Sequence, residues 1–305
     1  ESIIVVARGV GGTGDVKICP AKTHLTNLSI ALEINENILD KKYFYYKYSL
    51  SNLRYLDSGS AQSQITINDL KRIKLELPDI KEQKAIANIL SSLDGKIELN
   101  NKINKNLEEL AQTLYKRWYV DFEFPNEDGW TIKKLENVLS SLETGNRPIG
   151  GIQDIDSGIP SIGAENVIGL GQYDYSKEKL VSKEYYDSLN RGKIQDYDVL
   201  LYKDGAQLGR KTIVGNGYPH KMAAVNSHVF ILRTNKKITQ EYLYFNLDQN
   251  SMTQNIISLN TSSAQPGINQ TSLKSLKILC PTSETVISFS VIVKSFLNQI
   301  FNNCN

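Results

Sequence analysis

The sequence predicts an α+β chain built from two similar globular units, each followed by an apolar helix. Three observations predict this. First, the chain repeats itself: residues 59–97 align without a gap on residues 262–300. Ser60-Ala61-Gln62 falls on Ser263-Ala264-Gln265, Leu70 on Leu273, Ile73 on Leu276, Pro78 on Pro281 and Ile97 on Ile300. Such self-similarity has to be recognised before single residues are interpreted, because it sets the architecture. Second, apolar residues recur at three- and four-residue steps after Pro78 and again after Pro281, the signature of a helix with one apolar stripe. Third, short β-branched or alternating runs, broken by Gly, Ser and Asn, precede each proline, as strands do.

The first unit, residues 1–78, reads as strand-rich, with strands expected at Ile3–Ala7, Leu28–Glu33 and Ile73–Leu77. Ile3–Ala7 corresponds to Val199–Tyr202, which lies roughly 70 residues into its own unit. The first unit is therefore expected to be incomplete at its N-terminal side. Residues 79–123 follow as one helix. Asp79 and Glu82 form a capping box, the aspartate accepting from first-turn amides and the glutamate reaching back. Ile86, Ile89, Leu90, Leu93, Ile97, Ile103, Leu107, Leu110 and Leu114 make a continuous stripe. The striped helix of nearly forty residues spans about 58 Å at 1.5 Å per residue. Gly95 costs it roughly 1 kcal/mol against Ala without breaking the pattern.

So long a helix with so narrow a seam needs a partner. Residues 282–305 supply one through Ile287, Phe289, Ile292, Val293, Phe296 and Ile300. The expectation is an antiparallel coiled coil of the two helices, separating the units. The alternative is that each helix folds back onto its own unit. Pro125 and the turn-formers Asn126–Gly129 should end the helix. The second unit, residues 124–281, should mix helices at Lys183–Leu189 and Thr239–Leu247 with strands at Val199–Tyr202, Ser227–Leu232 and Leu276–Leu279.

Composition narrows the function classes. The chain has 305 residues, 40% hydrophobic and 22% charged, an ordinary globular balance. Its net charge of +2 is compatible with an anionic partner without demanding one. Apolar runs such as Ile3–Ala7 and Val286–Val293 are too short or too polar to span a bilayer, and no signal peptide opens the chain. Cys19, Cys280 and Cys304 lack metal-ligand spacing and read as free thiols of a reducing cytosol, so a cytoplasmic location is expected.

Gly9-Val10-Gly11-Gly12-Thr13-Gly14 fits the glycine spacing of a dinucleotide fingerprint, with Glu33 about 20 residues on. That fingerprint needs a helix opening at its third glycine. Here Val16, Ile18 and Cys19 alternate like a strand and Pro20 follows, so a glycine hairpin turn is the better reading. No nucleophile elbow, phosphate loop, H-E-x-x-H or C-x-x-C pair is present, and no metal site is expected. His24, His220 and His228 occupy no matching positions in the two copies and read as surface or strand histidines. The chain shows no catalytic constellation.

What remains are polar loops at matching places. The second unit has 203–212, with Lys203, Gln207, Arg210 and Lys211, and 261–270, with Ser263, Gln265, Asn269 and Gln270. The first has Arg8, Gln62 and Gln64. Arg147 stands in the turn Thr144–Pro148. Arg, Gln and Asn can bond bidentately to base edges in the major groove, whereas Lys, Ser, Thr and backbone amides suit phosphates. Double-stranded DNA is therefore the candidate ligand, weighed against ordinary solvated loops.

Three tracts carry a resemblance. Glu82-Gln83-Lys84-Ala85-Ile86-Ala87 follows a Leu-Pro; Leu93-Asp94-Gly95-Lys96-Ile97-Glu98-Leu99-Asn100-Asn101-Lys102 lies within the helix; Leu114-Tyr115-Lys116-Arg117-Trp118-Tyr119-Val120-Asp121-Phe122-Glu123 ends it. Together they resemble the central conserved region of the specificity subunit of type I restriction-modification systems. Gly129-Trp130 and Leu135-Glu136-Asn137-Val138 resemble the start of a target recognition domain of that family.

The resemblance implies a partial first recognition domain (1–78), a central helix (79–123), a second recognition domain (124–281) and a distal helix (282–305). It implies a non-catalytic subunit whose two domains each read half of a bipartite DNA site while the helices set the spacing. It further implies two methyltransferase subunits docked on the helices, S-adenosylmethionine bound by them and not by this chain, and motor-nuclease restriction subunits. Lys116, Arg117, Trp118 and Tyr119 are the expected methyltransferase contacts, against the alternative that the aromatics complete the core of the second unit. A competing functional reading is a protein-binding scaffold, or an inactive, truncated specificity subunit.

Overall fold

The computed structural model describes residues 2–9, 11–49, 51–58, 62–123, 129–148, 151, 155–260 and 266–305. The chain divides into two compact units, Glu1–Leu99 and Asn100–Asn305.

In the first unit, β1 (Ser2–Val6) pairs antiparallel with both β2 (Val16–Cys19) and β3 (Ser29–Leu32), giving the order β2-β1-β3. Val5 lies opposite Val16 on one side and Ile30 on the other. Helix α1 (Lys41–Ser49) packs Phe44 and Tyr48 into a core with Ile3, Val5, Val16, Leu53 and Ile65. The short α2 (Ile67–Leu70) is closed by a capping box between Thr66 and Asp69. The glycine segment is a hairpin, as expected: Val6 N–H donates to Asp15 O and Gly14 N–H to Val6 O. Gly14 has φ +93°, and a Cβ there would lie 2.4 Å from the Arg54 nitrogen, so no side chain fits. A strand follows it, which removes the dinucleotide reading.

Helix α3 (Ile80–Tyr119) is 40 residues long and runs through the division between the units. Asp79 Oδ1 accepts from the Lys81 and Glu82 amides, the aspartate half of the expected box. Ile73–Leu77 differs from expectation: it forms no strand. Its repeat counterpart pairs with a strand early in the second unit, whereas Ile73–Leu77 pairs with no strand among the described residues. Without a neighbour, an extended run has no ladder to join.

The second unit begins with β4 (Thr131–Lys134), β5 (Leu139–Thr144), β6 (Ile159–Ile162), β7 (Leu180–Val181) and α4 (Lys183–Ser188). It continues with β8 (Val199–Tyr202), β9 (Lys211–Ile213), β10 (Ala224–Val225) and β11 (Val229–Thr234). It closes with α5 (Gln240–Asp248), α6 (Asn250–Ser258), α7 (Gln270–Lys274), β12 (Lys277–Cys280) and α8 (Ser283–Cys304). Its main sheet has the order β5-β11-β8-β9, beside a sheet β10-β6-β7 and a pair β12-β4. Helix α5 is buried along nearly its whole length and joins Tyr242 and Phe245 to Phe289 and Val293 of α8. Each such fully buried side chain contributes about 1.5–3 kcal/mol.

Both units repeat one plan. Hairpin β1–β2 corresponds to β8–β9, where Tyr202 N–H donates to Arg210 O and Gly209 N–H to Tyr202 O. An isolated bridge joins Arg8 to Gln64 in the first unit and Asp204 to Gly267 in the second. Thr66 caps α2 as Asn269 caps α7.

Within the second unit the two helices run antiparallel, as expected. Tyr119 donates to Thr285 O, whereas Asn104 meets Asn303 and Cys304 at the other end. The seam is Leu107, Leu114, Tyr115, Trp118 and Tyr119 against Phe289, Val293, Leu297 and Ile300. Ile89, Leu93, Ile97 and Leu110 of the expected stripe are instead exposed. The last turn of α8 lies beside Asn100 and Asn104.

Candidate nucleic-acid interface

The main sheet of the second unit brings its turns to one end. Strand β5 leaves the sheet at Thr144 and β8 at Tyr202, while β9 enters at Lys211 and β11 at Val229. Segments 145–148, 203–210 and 226–228 therefore emerge together. Hydrogen bonds stitch them: Gly145 N–H donates to Asn226 O, Lys203 N–H to His228 O, and Thr144 Oγ1 to Ser227 O. Residues 266–268 of the second loop join the same end, since Gly205 N–H donates to Pro266 O and Ile268 N–H to Lys203 O. Four segments of the second unit thus present one surface.

Its electrostatics separate fold-holding charges from available ones. Arg147 contacts His228, whose other ring nitrogen lies 3.3 Å from Asp204, which in turn pairs with Lys203. Lys203 also sits 5.4 Å above the Phe230 ring. Its charge is offset locally, so it is a weaker phosphate ligand than an open lysine. Arg233, by contrast, is tied to Glu143 and Asp198 at 2.9 and 2.6 Å and belongs to the fold. Gln207 and Arg210 are exposed at the hairpin tip. Arg147 and Arg210 have no carboxylate within salt-bridge distance among the described residues.

The remaining expected residues are placed as follows. Lys211 is buried at 5% exposure, donates to Thr253 and lies 3.6 Å from Asp248. Burial pulls its pKa down, partly offset by Asp248. Its ammonium serves the packing of β9 against α5 and α6 and is not presented outward. Asn269 spends its side-chain oxygen on the Ser272 amide as the cap of α7, and Gln270 is half-buried in that helix. Ser263 and Gln265 lie outside the described residues. In the first unit Gln62 is exposed, while Arg8 and Gln64 face each other across the bridge, half-buried. His228 and Asp204 had no sequence signal linking them to Arg147; only the sheet brings them together.

The expected partner contacts divide. Tyr119 is 3% exposed within an aromatic cluster of Tyr115, Tyr242, Trp130 and Phe289, and Trp118 is half-buried against the same Phe289. These aromatics complete the core of the second unit, the alternative weighed from sequence. Lys116 and Arg117 stay exposed and pair with Asp121 and Glu123. Nearby, burial and the neighbours Asp248 and Glu109 raise Glu108 from 4.5 to about 7. All three cysteines are free, and among the described residues no helix is long and apolar enough to cross a membrane.

Known proteins resemble this arrangement. The family model described as the type I restriction modification DNA specificity domain matches residues 1–109 and 127–303. The specificity subunit of the type I restriction enzyme MjaIX from Methanocaldococcus jannaschii is 25% identical over 288 residues, covering 86% of this chain and 63% of that protein. The specificity subunit of the type I enzyme HindI from Haemophilus influenzae is 36% identical over 91 residues, covering 28% of this chain and 20% of that one. The chain thus spans less than two thirds of these relatives' length. The crystal structure of a type I restriction-modification S subunit from M. genitalium superposes with a TM-score of 0.59 at 17% identity, covering 98% of this chain and 82% of that one, and shares the fold. With both repeats matched, the chain belongs to the type I restriction-modification DNA specificity domain family.

Proposed function

We propose that this chain is the DNA-reading, non-catalytic subunit of a cytoplasmic type I restriction-modification complex. Each unit reads one half of a bipartite site through the turns at its hairpin end. Helices α3 and α8 fix the distance between the halves and dock two methyltransferase subunits, which bind S-adenosylmethionine; restriction subunits join them to cleave. The observation that carries this reading is the sheet end of the second unit. There Gln207 and Arg210 stand exposed at the same sheet end as Arg147, on a frame whose hairpin and bridge recur in the first unit. Exposed guanidinium and amide groups on a rigid sheet suit base-edge readout. Arg8, Gln62 and Gln64 form the corresponding set in the first unit, and Lys116 with Arg117 remain the candidates for partner contact.

The test is a mobility-shift assay of the chain with its modification subunits on double-stranded oligonucleotides of mixed sequence, followed by selection of the bound fraction. Arg210→Ala and Gln207→Ala should each relax preference at one base pair, at a cost of about 1–3 kcal/mol. Binding with unchanged preference in both variants would move the reading face elsewhere. No binding by the assembled complex would favour the scaffold reading.

A further inference from the structure

A second feature at the same end of the unit joins Arg147 to residues that the reading above does not use, Asn146, Tyr185, Asn190 and Arg191. The chain carries two Asn-Arg dipeptides flanked by glycine, Gly145-Asn146-Arg147 and Asn190-Arg191-Gly192. The fold sets them side by side. A Cβ on Gly192 would lie 2.8 Å from the Gly145 Cα, and one on Gly145 would lie 1.5 Å from the Val225 carbonyl oxygen. Only glycine permits this approach at either position. Gly192 N–H further donates to Glu143, and Val225 N–H to Gly192 O, locking the second dipeptide to the strand end that carries the first.

Between them lies an open cavity of about 480 Å³ lined by Asn146, Arg147, Tyr185, Ser188, Asn190 and Arg191. Its lining contains no carboxylate. Arg191 donates to Asn146 Oδ1 at 3.0 Å, and Arg147 contacts His228, so neither guanidinium pairs with a carboxylate among the described residues. Acids of the neighbouring segments are paired: Asp187 with Lys183, Glu143 with Arg233, and Asp204 with Lys203. Because Asn146 gives its oxygen to Arg191, its amide NH₂ is left to donate. Tyr185 OH is buried and makes no hydrogen bond among the described residues. The cavity therefore offers two cations and further donors, with no anion of its own.

We propose that this double Asn-Arg cavity is a clamp for one backbone phosphate of the bound DNA. Two guanidinium forks match phosphate oxygens and are strongest when held bidentate. A base edge would use one fork and leave the second cation unpaired; a phosphate takes both. The clamp acts as a positioning site, fixing how deep the hairpin tip of Gln207 and Arg210 enters the groove. The inference rests on the DNA-reading proposal.

The experiment measures affinity of the assembled complex for mixed-sequence duplex DNA across a salt series, for the parent, Arg191→Ala, Arg191→Lys and Arg147→Ala. Each alanine should weaken all sequences alike and lower the slope of log affinity on log salt by about one unit. Arg191→Lys should keep most of the slope, and all variants should melt like the parent. If Arg191→Ala binds with the parent slope, or alters preference at a single base pair, the clamp is wrong while the reading surface stands. If the parent complex itself does not bind DNA, both proposals fall.

Discussion

The two halves of α3 share one apolar stripe and meet different fates. Residues 100–119 bury Ala111, Tyr115 and Tyr119 against α5 and α8. Residues 80–99 bury only Gln83 and Ala87, while Ile89, Leu93, Ile97 and Leu99 stand in solvent at 54–64% exposure. The second half is held by aromatic packing. The first is held by an amide: Gln83 accepts from Asp40 N–H and donates to Ile38 O and Pro78 O. A 3.6-residue period therefore reports helix formation and not burial. Burial depends on whether a partner helix reaches that turn.

The largest effect that could break this contrast is at the aromatic seam. Phe289→Ala and Tyr119→Ala should each destabilise the second unit by about 3–5 kcal/mol, read from chemical denaturation. Losses below about 1 kcal/mol would mean the seam is not closed in solution. Next comes the amide. Gln83→Leu should cost about 2–3 kcal/mol, because Asp40 N–H and two carbonyls lose their partner, and the loss should appear in the transition of the first unit. Apolar replacement that stabilised instead would show that water reaches this corner.

A pH effect sharpens the account of the second half. Glu108 rises from 4.5 to about 7 in the fold, so the folded chain binds this proton more tightly than the unfolded one. Its contribution is thus fully present below about pH 4.5 and lost as pH rises to 7. Glu108→Gln should raise stability at pH 8 by about 1–2 kcal/mol, discounted for partial exposure, and by much less at pH 4. Equal effects at both values would remove burial as the cause. The smallest change is Leu93→Ala, expected within about 0.5 kcal/mol because that side chain packs on little. A larger loss would reveal a covering contact on the first half of the stripe.

Much of this was legible before any coordinates. The repeat, the capped helix, the glycine hairpin and strand Val199–Tyr202 follow from local patterns, and local patterns are what a sequence displays. Where the reading departed, long-range pairing decided. Ile73–Leu77 has the composition of a strand but pairs with none among the described residues. Lys211 reads as a surface cation on a hairpin, yet β9 turns it inward toward Asp248 and Thr253. That Trp118 and Tyr119 pack into the aromatic cluster with Phe289 and Tyr242 follows from the packing of α3 on α5 and α8, which no local pattern displays. The union of Arg147 with His228 and Asp204 needed the sheet, since no spacing rule links residues 81 and 24 positions apart.

The most direct test of the central claim is genome-wide mapping of methylated adenine in a host carrying this chain with its modification subunits. The account predicts a bipartite motif that disappears without the chain. With Arg210→Ala it predicts that one half relaxes at a single base pair while the other half and the spacing stay fixed. A motif indifferent to the chain, or one altered in both halves by that substitution, would contradict it.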